Sequence, residues 1–175
     1  MDYKERLIKF NSTPKYMSEL AMLKYLVNPT PYDRILDYGA GIGTALKHLN
    51  VNGCSVYAYD IVKYMGEFSH HYDNELSVNY NKVYFMHSFA HIPNIKEVLS
   101  NLKRFRPQIT IITPNNSYLW LIKNNTYKPD PTVFKHYTQT ELKNLLEKYG
   151  YEINLIGQFG ESINGVNERI FIQTK

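Results

Sequence analysis

Three glycines, Gly39, Gly41 and Gly43, alternate with other residues directly after an apolar run that ends at Asp37 and Tyr38. A glycine at a strand end weakens packing and costs chain entropy. Three together point to a ligand that must approach the backbone more closely than a Cβ permits. The spacing is G-x-G-x-G, not the G-x-G-x-x-G of a dinucleotide turn. The carboxylate of Asp37 just before it disfavours a pyrophosphate by like-charge repulsion and suits a ligand carrying positive charge. No Gly-Lys-Ser/Thr follows, which excludes a P-loop. Asp60 ends the next apolar run, where a carboxylate can accept hydrogen bonds from both hydroxyls of a ribose. Each feature alone has a plain reading, a tight turn for the glycines and a turn former for Asp60. In this order and spacing they point together to a bound nucleoside.

The elements that must position these residues follow from periodicity. Lys15–Val27 reads as an amphipathic helix with Leu20, Leu23, Leu26 and Val27 on one face, ended by Pro29 and Pro31. "DRILDYG" reads as a buried strand, "TALKHLN" as a short helix, "CSVYAYD" as a second strand and "IVKYMGEFSHHY" as a helix. "KVYFMHS" and "QITIITP" read as strands on either side of a helix at "IKEVLSNLKRF". "TQTELKNLLEKYG" is a helix capped by Thr138 or Thr140, with Glu141 three residues after Thr138 and Gly150 at its end. "YEINLIGQF" and "ERIFIQT" read as strands joined by "GESINGVN" into an antiparallel hairpin. Alternating strands and helices predict an α/β fold, a Rossmann-like, doubly wound, mostly parallel sheet with a C-terminal antiparallel hairpin. In such sheets the ligand lies at the carboxyl ends of the strands, which is where the glycines fall.

The bulk numbers bound the answer. The chain has 175 residues, 43% of them hydrophobic, and a net charge of +4, enough for a buried core. The basic residues are scattered rather than run together, which makes nucleic acid an unlikely partner. Cys54 is the only cysteine, so neither an internal disulfide nor a cysteine-based zinc site can form, and no metal is expected. The first residues lack the apolar segment of a signal peptide, and no apolar stretch has the length of a membrane helix. The expectation is a cytoplasmic protein with no membrane partner, monomeric or homodimeric, and one domain over residues 1–175.

"ILDYGAGIGTALKHL" followed by "VYAYD" resembles the first two motifs of the class I S-adenosylmethionine-dependent methyltransferases. "YNKVYFMHSFAHIPNIKEVLSNLKRF", "ITIITPN" and "FKHYTQTELKNLLEKYGYEINLIG" are similar to that family's later segments in order, the last as seen in small-molecule enzymes of the ubiquinone-biosynthesis type. The resemblance covers most of Asp33–Lys175 and implies S-adenosyl-L-methionine as cofactor. It implies that Asp37, Gly39, Ala40, Gly41 and Gly43 form the turn under the cofactor's aminoacyl end. Asp60 would hold the ribose and Ile61 would lie against the adenine. Met86 and His87 would line the methionine moiety, with Tyr16 closing over it from an N-terminal segment, 1–30, that caps the site. The sequence departs from the family between Asp60 and Val83, where the third strand is short or missing. "YDNELSVNY" holds at most a reduced version, with Asp73 or Glu75 as a substitute for the usual acidic pair. Asn81 stands where an aspartate is usual, and "RFRPQ" replaces a Pro-Gly-Gly.

Methyl transfer from a sulfonium is an in-line displacement that needs positioning and, for an oxygen nucleophile, a base. Histidine is the side chain best matched to that proton transfer near neutrality. His91 and then His87 are the candidate catalytic residues, and Asn115, Tyr118 and His136 the candidate acceptor-binding residues. Trp120 and the two-proline segment Lys128–Tyr137 are expected beside them. "HSFAHIP" is not the Asn/Asp-Pro-Pro-aromatic loop of enzymes that methylate base amines, and no cysteine is placed for attack on a pyrimidine. The favoured reading is transfer to a small-molecule acceptor, a sugar, nucleotide-sugar or phenol, on oxygen or nitrogen. The alternatives are a cofactor-binding protein without catalysis and a nucleic-acid or protein methyltransferase.

Overall fold

The computed structural model describes residues 3–50, 53–62, 79–122 and 130–175. The chain divides into two compact units, Met1–Met86 and His87–Lys175.

The first unit opens with helices α1 (Tyr3–Asn11) and α2 (Pro14–Val27). Thr13 caps α2, its side chain accepting from Tyr16 N, and Pro14 takes the first helical position, where its missing N–H costs nothing. The helix stops at Asn28 in the left-handed conformation, one residue before the proline that the sequence marks as its end. Leu20, Leu23, Leu26 and Val27 are buried as the spacing predicts, and so are Tyr16 and Glu19. Strands β1 (Arg34–Tyr38), β2 (Ser55–Tyr59) and β3 (Lys82–Met86) run parallel in the order β2-β1-β3, with helix α3 (Thr44–Leu49) between the first two. Four of the five β1 residues are buried, the near-continuous apolar pattern of a strand covered on both faces. The expected helix at "IVKYMGEFSHHY", apart from Ile61 and Val62, and the stretch around Asp73 and Glu75 expected to hold a reduced third strand lie outside the described residues.

At the opposite end of these strands Asn81 explains itself. Its Nδ2 donates to Asp33 Oδ1 at 2.7 Å and its Oδ1 accepts from Arg34 N at 2.8 Å. Lys82 Nζ reaches Asp33 Oδ2 at 2.8 Å and also the carbonyls of Val27 and Asn28. An aspartate at position 81 would bring a second carboxylate against Asp33, so this bridge requires the amide.

The second unit begins with a single 3₁₀ turn, Phe89–His91, then α4 (Ile95–Lys103), β4 (Gln108–Pro114), α5 (Asn116–Ile122), α6 (Gln139–Lys148), β5 (Ile153–Ile163) and β6 (Val166–Thr174). Helix α4 buries Ile95, Val98, Leu99 and Leu102, the i, i+3, i+4, i+7 set. Thr138, not Thr140, caps α6, and Glu141 completes a reciprocal capping box. The strands β4, β6 and β5 pair antiparallel in that order. The hairpin strands run further than the alternation suggests, so most of "GESINGVN" is strand. Only Asn164 and Gly165 turn, both at positive φ, 51° and 78°, the two-residue connection whose twist matches the strands. Helices α1 and α5 are additions to the sequence reading. The expected α/β class, with parallel strands followed by an antiparallel C-terminal hairpin, is the architecture found.

Candidate active site

The glycine turn leaves β1 and enters α3. Gly39, Gly41 and Gly43 have φ of 84°, 55° and 79°, values that side chains rarely adopt. The turn is pinned from β2. Gly39 N and Ala40 N both donate to Tyr59 O, at 2.7 and 3.1 Å. Asp60 Oδ2 accepts from Gly41 N at 2.7 Å, and its Oδ1 accepts from Val62 N at 3.0 Å. Asp60 is therefore a turn former and a strut for the glycines at once. Ile61 beside it is 91% exposed, an apolar side chain held in solvent where the resemblance places adenine. Helix α1 lies against the turn. Leu7 Cδ1 stands 3.6 Å from where a Cβ on Gly41 would be, and Asn11 Nδ2 donates to Thr44 Oγ1 at 2.8 Å.

Asp37 is the electrostatic anomaly of this unit. It is 1% exposed, and burial pushes its carboxyl up to about 8; the Tyr84 hydroxyl works the other way and the charge of Asp60 adds to the rise. Tyr84 Oη is the group that faces Asp37, but neither it nor Asp37 Oδ2 makes a hydrogen bond of good geometry with a described residue. Burial, with the charges of Asp37 and then Glu19, pushes the hydroxyl of buried Tyr16 up as well. A buried carboxyl oxygen without a well-formed hydrogen bond, on the strand that runs into a glycine turn, is the arrangement a cationic ligand would satisfy. Glu19 and Tyr84 belong to this cluster and carry no sequence signal beyond helical and strand spacing. Met86 ends β3 with 7% exposure.

In the second unit His87 has φ 60°, a left-handed conformation in which histidine is enriched but which is uncommon outside glycine. Its N–H bonds to Ile112 O at 2.9 Å. His91 closes the 3₁₀ turn, and the segment 130–138 is docked beside it. Ala90 O accepts from both Phe134 N and Lys135 N, and Asn116 N donates to Tyr137 O. Phe89 and Tyr137 stack edge-on at 5.4 Å. His91 Nδ1 lies 2.9 Å from Thr132 Oγ1 and 3.2 Å from Thr132 O. The Thr132 hydroxyl donates to Asp130 Oδ1 at 2.7 Å. His136 is close enough to feel His91: burial and then the His91 charge push its pKa down, against the pull of Asp130. Asp130 and Thr132 are absent from the sequence-level candidates, because an aspartate and a threonine beside a proline read as a loop.

Asn115 is buried and largely engaged. Its Nδ2 donates to Gln158 Oε1 and Asn167 O, and its Oδ1 accepts from Ser117 N at the start of α5. One Oδ1 lone pair remains for a ligand. Tyr118 Oη donates to Glu161 Oε2 at 3.3 Å, and burial followed by the Glu161 contact raises its pKa. Trp120 is 73% exposed. The structure thus gathers Asp37, Tyr16, the glycines and Asp60 in the first unit, and His91 with His136 in the second. Asn115 and Tyr118 sit together at the head of α5, against the hairpin. Among the described residues no helix is long and apolar enough to cross a membrane, and no cluster of three potential metal ligands occurs.

The model of a family described as a methyltransferase domain matches residues 2–155. A structure described as a SAM-dependent methyltransferase from Archaeoglobus fulgidus is 19% identical with a TM-score of 0.74, covering 99% of each chain. Magnesium protoporphyrin IX methyltransferase from Synechocystis PCC 6803, with bound SAH, is 15% identical with a TM-score of 0.66, covering 99% of this chain and 87% of that one. The small RNA methyltransferase HEN1 is 14% identical with a TM-score of 0.69, covering 91% of this chain and 25% of that one. No curated protein matches by sequence. At these identities the structural likenesses show a shared fold.

Proposed function

The chain belongs to the methyltransferase-domain family, and from that membership we propose that it methylates a small-molecule acceptor with S-adenosylmethionine as donor. The observation that carries this reading is the buried Asp37 carboxyl on the strand leading into the glycine turn, whose Oδ2 makes no well-formed hydrogen bond among the described residues and faces only the Tyr84 hydroxyl. The cofactor supplies an activated methyl group on a sulfonium and brings an ammonium group of its own. Asp37 would face that positive charge, as a buried carboxyl is stabilised by a cation. Asp60, already holding the turn open, would bond the ribose, and exposed Ile61 would lie against the adenine. Tyr16 would wall the aminoacyl end, with Met86 and His87 at the head of β3.

On the acceptor side His91 would take a proton, with His136 beside it and Asn115 and Tyr118 contributing polar contacts. The absence of a long basic run and of a base-amine loop supports a small acceptor over RNA.

Calorimetric titration with S-adenosylhomocysteine tests the cofactor half, and binding on the order of micromolar is expected. A folded protein that shows no heat of binding sinks the reading. A screen of phenols, sugars and nucleotide-sugars with labelled methyl donor tests the acceptor half. Label appearing only on RNA or protein would overturn it.

A further inference from the structure

The hydrogen bonds around His91 fix which ring nitrogen carries the proton. The Thr132 hydroxyl has one hydrogen, and the Asp130 carboxylate oxygen 2.7 Å away, which can only accept, claims it. Toward His91 the Thr132 Oγ1 can therefore only accept, and Thr132 O is an acceptor by nature. Both stand within hydrogen-bond distance of His91 Nδ1, at 2.9 and 3.2 Å. Two acceptors facing one nitrogen require that nitrogen to be the donor. In the neutral ring the lone pair is then on Nε2.

Further hydrogen bonds hold this segment to the turn. Asp130 Oδ1 also accepts from Thr132 N at 2.9 Å. The two amides of Phe134 and Lys135 on Ala90 O bind the same segment to the turn that carries His91. Lys135 in turn pairs with Glu141, 3.1 Å away, inside the capping box of α6.

We propose that Thr132 and Asp130 are positioning residues that lock His91 as the Nδ1–H tautomer, so that Nε2 takes the proton of a hydroxyl acceptor. The inference rests on the methyltransferase reading for its reaction and on the second unit alone for its geometry. In the step, the acceptor O–H bond breaks, the proton goes to Nε2, and the electron pair stays on oxygen as the nucleophile. The ring becomes an imidazolium whose new charge is met through Thr132 by the Asp130 carboxylate. The half-buried ring then returns the proton to water. A hydroxyl acceptor must shed its proton for its oxygen to become a good nucleophile, so a base of this kind suits a hydroxyl compound.

The test is nuclear magnetic resonance of protein labelled with nitrogen-15 at histidine, with the ring of His91 identified by His91→Gln. The wild type is expected to show the neutral ring protonated at Nδ1. Thr132→Val, at an exposed position, is expected to give a mixture with the Nε2–H form, and Thr132→Ser to restore the wild-type pattern. A wild-type ring protonated at Nε2 overturns both the lock and the hydroxyl assignment, since nothing is left to take the proton. An unchanged tautomer in Thr132→Val overturns the role of Thr132 and Asp130. The measurement needs neither donor nor acceptor, so it fails separately from the calorimetry that tests the cofactor.

Discussion

Binding of the proposed cofactor should release a proton from Asp37. With its carboxyl pushed up to about 8, the free protein holds that proton in roughly nine molecules of ten at pH 7. A ligand ammonium beside it favours the carboxylate, so S-adenosylhomocysteine should expel about 0.9 proton per site at pH 7 and about one at pH 6. Affinity should then weaken severalfold, up to about tenfold, from pH 7 to pH 6, a range in which the ligand's own ammonium stays charged. Titration calorimetry in two buffers of different ionisation enthalpy reads the proton count directly. Asp37→Asn should bind more weakly and lose the pH slope. It should also be more stable without ligand. A group whose folded value is raised gives stability that is present below its unfolded value near 4 and lost as pH rises through about 8. Full burial sets the loss at the order of 5 kcal/mol. A proton count near zero at pH 6 and 7, with the same slope in Asp37→Asn, would refute the assignment of Asp37 as the cation's partner.

Asp60→Ala removes the strut on Gly41 as well as the proposed ribose contact, and the dissociation constant for S-adenosylhomocysteine should rise about 10- to 100-fold, measured by the same titration. Asn81→Asp sets a carboxylate against Asp33 and should cost about 1–3 kcal/mol in urea unfolding at pH 7, with less cost at pH 4, where one of the pair is protonated. Asp33→Ala should cost about 2–4 kcal/mol by unmaking its bonds to Lys82, Thr30 and Asn81. Burial pushes the Asp33 pKa up, but those bonds outweigh it and hold it below the usual range. Its stabilisation is therefore present above the unfolded value near 4 and lost as pH falls through the lower folded value, and the variant's stability should be flatter with pH in acid.

What could be read in the chain was what is local to it. The glycines, Asp37 and Asp60 announce themselves because a close ligand approach and a strand-end carboxylate both depend on neighbours in sequence. The apolar sets of α2 and α4 are legible for the same reason. Tyr84, Thr132 and Asp130 were not, because their significance comes from groups far along the chain. A tyrosine on a strand is ordinary until its neighbour in space is a buried carboxyl. Helix α5 was missed although Asn115, at the end of an apolar strand, is a capping residue for it. Helix α1 exposes much of its length, with Ile8 51% accessible, and so lacks a strong apolar stripe. The hairpin shows a different failure: Asn164–Gly165 is a strong turn signal, but the glycines at 157 and 160 obscured how far the strands extend. The exchange of an expected aspartate for Asn81 looked like a loss in sequence, and in space it is a requirement of Asp33.

The Asn164–Gly165 turn also sets an order in time. Strands β5 and β6 are joined by two residues and can zip within microseconds, since almost no loop must be closed first. Strand β1 finds β2 only after a crossover and β3 only after a longer one, and parallel pairing of this kind comes late because its entropy cost precedes its contacts. During folding, the hairpin that supports Asn115 and Tyr118 should be protected from hydrogen exchange before the amides of Gly39 and Ala40, which wait for Tyr59. A chain halted on the way would own part of the proposed acceptor side and none of the proposed cofactor turn, so the ability to hold a methyl donor there would be the mark of a finished fold.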